Sequence, residues 1–333
     1  MRNAGEPTFS LFGNIGCEYE QVRTGRVMRA VVGISLGASA IRAAVMDPMG
    51  RALLGTESVP VVRGRDRLEV AVEVVDSVCA RHGADRDSAV LVVPDEPCSR
   101  IGTIALSIHS GGCVRLASEL GAQLMYLRMR GLVEAGSTVA IVDMGKSGTS
   151  VSVVDVATGF VQDAAWTDRF RGSAFADSVR EHLLSAYGTS DPLSPSDSQS
   201  LTDGVEWAME MIALHRVVRV SGPFVGGTVN VWRTTVDRLM LDYVSDAADW
   251  VSDVVRRGPR QVDAVVLAGG PANLPLLRGV FAREWGSSLV MPQEPQSIAA
   301  TGAALLAARR SGSPISGPIR TVESQPRHAA LVV

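Results

Sequence analysis

The sequence predicts an α/β protein of two lobes, and three observations lead there. Two strand-turn-strand units share one plan, and helical periodicity follows each. A third apolar strand runs through a glycine pair into a helix, and 333 residues suffice for about two domains with cores of their own. Apolar residues make up 46% of the chain, charged residues 20%, and the net charge is -3. That balance disfavours both disorder and an electrostatic binder of nucleic acid or anionic membrane.

Taken in order, residues 1–27 lack periodicity and are expected to be a flexible extension, with Met28 directly before the first strand-like run. The first unit is AVVGISLGASAIRAAVMDPMGRALL, 30–54. A helix follows over 68–82, with Leu68, Val72, Val75 and Cys79 at helical spacing. The second unit is TVAIVDMGKSGTSVSVVDVATGFV, 138–161, where Val151, Val153 and Val156 give β-branched character. Its helix covers 173–187 through Phe175, Val179 and Leu183. Residues 188–203 are a polar connector before a helix over about 203–215, and VVRVSGPFVGGTVNVW is a hairpin. Thr234 with Asp237 three residues on approximates a capping box for a helix reaching about 256. DAVVLAGGPANLPLLRGVFAREWG supplies the third strand, its glycine pair and a helix. EPQSIAATGAALLAARR lines small residues along one helix, which predicts close approach to a neighbouring backbone. The Ser, Pro and Gly content of 311–333 predicts a disordered tail.

Cys17, Cys79, Cys98 and Cys113 never form a C-x-x-C and are expected to be reduced thiols. The histidines stand singly. Glu6 interrupts any apolar leader and no stretch reaches 18 uncharged apolar residues, so a cytoplasmic protein without a membrane span is expected. The five tryptophans neither cluster nor interleave with basic residues, unlike a nucleic-acid platform. Lys146 is the only lysine among 32 basic residues, and it stands in a glycine-rich turn. GKS there is not a P-loop, since Ala140 stands where that motif needs glycine and a strand follows.

A hairpin tipped with glycine and hydroxyl residues exposes backbone N–H groups that can wrap a phosphate. Both units have such tips, and Gly269-Gly270 adds the start of a helix. In this order the three sites resemble the actin-like ATPase superfamily, closest in order and spacing to the ATPase domain of DnaK-type heat-shock chaperones. The first phosphate hairpin is matched by Gly33, Ser35 and Gly37 with Ala38 and Ser39 after them. The second is matched by Asp143 and Gly145, continuing through Lys146, Ser147, Gly148 and Thr149. The adenosine motif is matched by Gly269 and Gly270, with Pro271 and Asn273 following. The resemblance covers roughly 28–310. It implies a two-lobed actin-like (ribonuclease H-like) fold around a central nucleotide cleft, with 28–136 and 297–310 in lobe I and 137–296 in lobe II. It also implies ATP or ADP as ligand, Mg2+ with Asp143 as its carboxylate, and Asp143 as the catalytic group.

Departures from the family pattern bear on the chemistry. Ser35 stands where the family has an aspartate around magnesium, and Ser150 where it has a second one. Leu127 or Arg128 occupies the place of a glutamate near the attacking water, with Glu134 further on. Pro271 and Asn273 replace a serine and an adenine-stacking arginine, and Gln296 replaces an acidic residue. A hydroxyl in place of a carboxylate loses the charge that favours a hard cation. With about 85 residues between the hairpins, most of the chaperone's extra subdomain on lobe I is expected to be missing, as is a peptide-binding domain after 310. The expectation is a nucleotide-binding protein with weak or no hydrolysis and a regulatory or chaperone-related role, with Lys146 either meeting phosphate or standing as an exposed turn lysine, and a protein partner in view. The alternatives are a scaffold that keeps the lobes for protein contact, a small-molecule kinase of the same superfamily, and an actin-like filament or cell-division adaptor.

Overall fold

The computed structural model describes residues 29–61, 64–94, 114–187, 193–222, 227–258, 260–310 and 320–321. The chain begins with three antiparallel strands, β1 (Val31–Leu36), β2 (Ala40–Met46) and β3 (Ala52–Pro60), then helix α1 (Arg67–His82). Strands β4 (Ala89–Val93) and β5 (Arg115–Ser118) follow in parallel to β1, and helix α2 (Glu119–Met129) leaves β5 directly. The second unit comprises β6 (Thr138–Met144), β7 (Thr149–Asp155) and β8 (Val161–Thr167), again antiparallel neighbours. Helices α3 (Ser173–Tyr187) and α4 (Pro195–Ile212), the hairpin β9 (Val217–Gly222) with β10 (Gly227–Trp232), and helix α5 (Arg233–Arg257) come next. The chain continues through β11 (Ala264–Ala268), α6 (Pro275–Trp285), β12 (Leu289–Val290) and α7 (Ile298–Arg310). Of the segment 311–333 only β13 (Arg320–Thr321) is described, paired parallel to β3.

Two mixed sheets result, ordered β13-β3-β2-β1-β4-β5 and β12-β11-β6-β7-β8. This is the two-lobed actin-like ATPase fold that the resemblance implies. Helices cover both faces of the first sheet, which is why β1 and β4 are buried at every position rather than alternately. Val32, Ile34 and Val45 pack on α1 through Val70, Val74 and Val78. Val31, Ala44 and Val92 face the other way, onto the alanines of α7. In the second sheet Val142, Met144 and Val153 join the large core built with α3, α4, α5 and α6. Val139, Ile141 and Val266 pack instead on Leu124 and Leu127 of α2.

Helices α2 and α7 thus stand between the sheets, and they pack on each other. Their approach explains the small residues of α7: a Cβ on Gly302 would lie 1.8 Å from the Ala122 carbonyl oxygen, and one on Gly33 of β1 would lie 2.1 Å from that of Ala300. Any side chain would drive backbone into backbone.

Three local expectations are corrected. The first unit carries a third strand, β3, beyond its expected end. Helix α4 begins at Pro195, inside the expected connector, because Ser194 caps it by accepting from Asp197 N while Pro195 takes the first helical turn. At α5 the strand β10 runs straight into the helix, so Trp232 is the N-cap and the Thr234–Asp237 box is not formed. Cys79 is buried, and burial pushes its thiol up to about 11. Cys17, Cys98 and Cys113 lie outside the described residues. Among the described residues no helix is long and apolar enough to cross a membrane.

Candidate functional site

A cleft of about 1720 Å³ opens between the sheets, and all three glycine motifs reach it. From the first hairpin it is lined by Ser35, Gly37, Ala38 and Ser39; from the second by Asp143, Gly145, Lys146, Ser147 and Gly148; from the third by Gly269, Gly270, Pro271 and Asn273. Two residues of the sequence-derived set lie elsewhere. Gly33 is spent on the contact with α7. Thr149 is fully buried, and its hydroxyl donates to the Phe170 carbonyl oxygen, so it anchors the chain that leads into α3.

The two hairpins carry their cleft-facing polar residues at the same register. Ser35 stands opposite Arg42 across β1 and β2, and Asp143 stands opposite Ser150 across β6 and β7. Directly opposed residues in an antiparallel pair share a face, and all four line the cleft. The first hairpin therefore presents a hydroxyl and a guanidinium, the second a carboxylate and a hydroxyl. A Cβ on Gly37 would come within 3.4 Å of Arg42 Nη1, which sets the guanidinium beside the hairpin tip. Burial lowers the Arg42 pKa, opposed by the charges of Glu210 and Asp143.

Asp143 ends β6. Burial raises its pKa above the ordinary 3.8, against a hydrogen bond that Gln123 Nε2 of α2 donates to Oδ2 and against the nearby Arg42 charge. The tip beyond it is closed by Gly145 N donating to Gly148 O at 2.8 Å, and Gly172 N donates to Gly145 O at 2.7 Å. Lys146 turns towards α4, where its Nζ lies 2.8 Å from a carboxylate oxygen of Glu206. The ammonium that the sequence suggested for phosphate is thus engaged by a glutamate of its own lobe.

Gly269 takes φ +86°, and a Cβ there would fall 2.1 Å from the Met144 carbonyl oxygen and 2.7 Å from Asp143 Oδ1. Only glycine lets the third motif lie against the second this closely. At Gly270 nothing stands within 4 Å of a Cβ position, so a side chain there would fill cleft space. Asn273 Nδ2 donates to Gln296 Oε1 at 2.8 Å and to Gly270 O at 3.1 Å, which ties this motif to the chain entering α7.

Small residues at three tips suit a phosphate-bearing ligand, whereas the side chains do not suit a directly coordinated dication. Among the described residues no three His, Cys, Asp or Glu side chains gather as a metal-binding group. Asp143 already meets an amide donor and faces a guanidinium, both of which oppose a cation at its oxygens. Leu127 is buried in the core, and neither it nor Arg128 or Glu134 lines the cleft.

Sequence reasoning missed Arg42, Gln123, Gly172, Trp166, Glu206 and Glu210 as cleft residues. Arg42 could have been found, because it sits seven residues after Ser35 as Ser150 sits after Asp143. The others come from distant segments and carry no local signal.

Comparison with known families matches residues 127–317 to the family described as Hsp70 protein. Chaperone protein HscA homologs from Burkholderia pseudomallei (strains 668 and 1710b) and Burkholderia mallei (strain SAVP1) are each 27% identical over 195 residues, covering 52% of this chain and 30% of the relative. The chain thus matches less than a third of the length of these curated relatives.

Proposed function

Because the chain belongs to the Hsp70 protein family, we propose that it binds ATP or ADP in the cleft between its sheets, with weak or no hydrolysis, in a regulatory or chaperone-related role. The convergence of the three glycine motifs on one cleft carries this reading. In it, lobe I comprises 28–136 with the 297–310 helix, and lobe II comprises 137–296. The hairpin tips at Gly37 and Gly145 take the phosphates through backbone N–H groups, and Gly270 with Asn273 flanks the nucleoside. The amide donor and the guanidinium at Asp143 leave Mg2+ without a suitable carboxylate here, so no step of this reading is routed through the metal.

Weak hydrolysis follows from the side chains. Phosphoryl transfer depends on positioned charge and a positioned nucleophile. Ser35 and Ser150 offer hydroxyls in place of carboxylates, and α2 sends a carboxamide, Gln123, to the one carboxylate that the hairpins retain.

Calorimetric titration with ADP and ATP, with and without magnesium, tests the reading. Binding in the micromolar range or weaker is expected. A ligand at 100 times its dissociation constant should stabilise the fold by about 2.7 kcal/mol. One observation favours a second reading, a scaffold that binds no nucleotide: Lys146 is already neutralised by Glu206. An unchanged melting temperature in millimolar ADP and ATP would support that scaffold, and fast magnesium-dependent turnover would contradict the weak-hydrolysis reading.

A further inference from the structure

We propose that Arg42 is the phosphate-binding cation of this cleft, a fixed guanidinium that does the charge neutralisation of a divalent metal, so that nucleotide binding here does not depend on magnesium. The inference rests on the nucleotide reading and adds a residue and a metal requirement to it.

Geometry carries it. Arg42 lies on the same cleft-facing side of the first hairpin as Ser35, directly across the strand pair. Its Nη1 reaches the space beside Gly37, at the tip whose backbone would cradle the anion. A guanidinium is planar, permanently charged and able to meet two phosphate oxygens at once. The same hairpin has a hydroxyl at Ser35, so no carboxylate stands directly opposite to claim that charge. The nearest acidic groups acting on it, Glu210 and Asp143, belong to the other lobe.

The surrounding charges also fit. Among the carboxylates lining the cleft, Glu57 is paired with Arg81 and Glu206 with Lys146. Asp143 is held by Gln123 Nε2, which donates to its Oδ2. A cation on β2 and a carboxylate on β6 thus stand at matching hairpin positions, and the cation is the one beside the first phosphate hairpin.

The test is calorimetric titration of the full chain with ADP and with inorganic pyrophosphate, in excess EDTA and in millimolar magnesium, for wild type, Arg42→Gln, Arg42→Lys and Ser35→Asp. Wild type is expected to bind ADP with affinities in the two media within about twofold of each other, because the neutralising charge is covalently part of the protein. Arg42→Gln should weaken both ligands at least about tenfold in either medium, as loss of a charged hydrogen bond does, and Arg42→Lys should recover part of the loss. Ser35→Asp leaves Arg42 in place but puts a carboxylate across from it. It should weaken binding in EDTA and regain it with magnesium, which keeps the proposal testable if Arg42→Gln does not fold.

Wild-type binding that requires magnesium and ignores Arg42→Gln overturns the inference and leaves the nucleotide reading standing. The same holds if Arg42→Gln lowers the melting temperature with ADP affinity unmoved, for then Arg42 serves only to bridge the lobes. Ser35→Asp binding ADP in EDTA as tightly as wild type also overturns it. Arg42-dependent binding of pyrophosphate without binding of ADP supports the cation and ends the nucleotide reading. Failure of both ligands with wild type in both media ends both.

Discussion

At Asp143 two effects oppose each other: burial favours the neutral acid, while Gln123 and Arg42 favour the carboxylate. Burial is the larger, so the folded-state pKa lies above the ordinary 3.8. A carboxyl group shifted in that direction contributes stability that is fully present below its unfolded pKa and is lost as pH rises through the folded value. Asp143→Asn removes the ionisation and should therefore match wild type in strongly acidic solution and exceed it at neutral pH. The gain should be a few degrees in Tm, since about 1 kcal/mol corresponds to roughly 2–4 °C in domains of 150–250 residues. Thermal unfolding of both proteins from acid to neutral pH checks this, and a variant less stable than wild type at neutral pH would mean that the attraction to Arg42 outweighs burial. A residue kept at such a cost beside a cleft is a functional candidate. It was legible in the sequence because it ends a strand just before a glycine turn. Arg42 is easily passed over: the seven-residue offset from Ser35 that it shares with Ser150 from Asp143 marks the position, but the arginine itself looks locally like a solvent-facing one. Its direction follows only from the pairing of Ser35 with Arg42.

The element that the sequence describes best is α7, whose small residues announce a close neighbour without naming it. The neighbour is α2, and the contact is tightest at Gly302, where a Cβ would stand 1.8 Å from the Ala122 carbonyl oxygen. Gly302→Ala should destabilise the protein by about 1–3 kcal/mol or more, because the obstruction is backbone and cannot rotate away. Gly279 in α6 is the matched control, with nothing within 4 Å of its Cβ position. There an alanine should raise stability by about 0.5–1 kcal/mol through helix propensity alone. Urea unfolding of the two variants tests the pair. Equal effects of the same sign would remove α2–α7 packing as the reason for the glycine. Where element reading failed, tertiary context was decisive. Pro195 looked like a turn residue and serves at the first turn of α4, and Thr234 looked like a cap where the chain simply passes from strand into helix.

The two sheets have separate cores, one beneath α1 and one among α3 to α6, with α2 and α7 packed between them. The cleft is the other place where they meet, and its walls come from hairpins more than 100 residues apart in sequence. A phosphate-bearing ligand held by both hairpin tips would therefore link two bodies that are otherwise joined mainly through one helix pair. Such a link lowers the population of states in which the sheets part locally, and it does so on both sides at once, because opening either wall breaks the same ligand contacts. Hydrogen exchange should show this directly. On addition of saturating ADP, amides around 37–39 and 145–148 should slow together, with those near Gly270. Amides of the β9–β10 hairpin, none of whose described residues lines the cleft, should keep their rates. Protection of one tip alone would mean that ligand sits on one lobe without bridging. Protection spread evenly over the chain, β9–β10 included, would mean that the whole fold tightens as one unit and that α2 and α7 already couple the sheets as strongly as a ligand could.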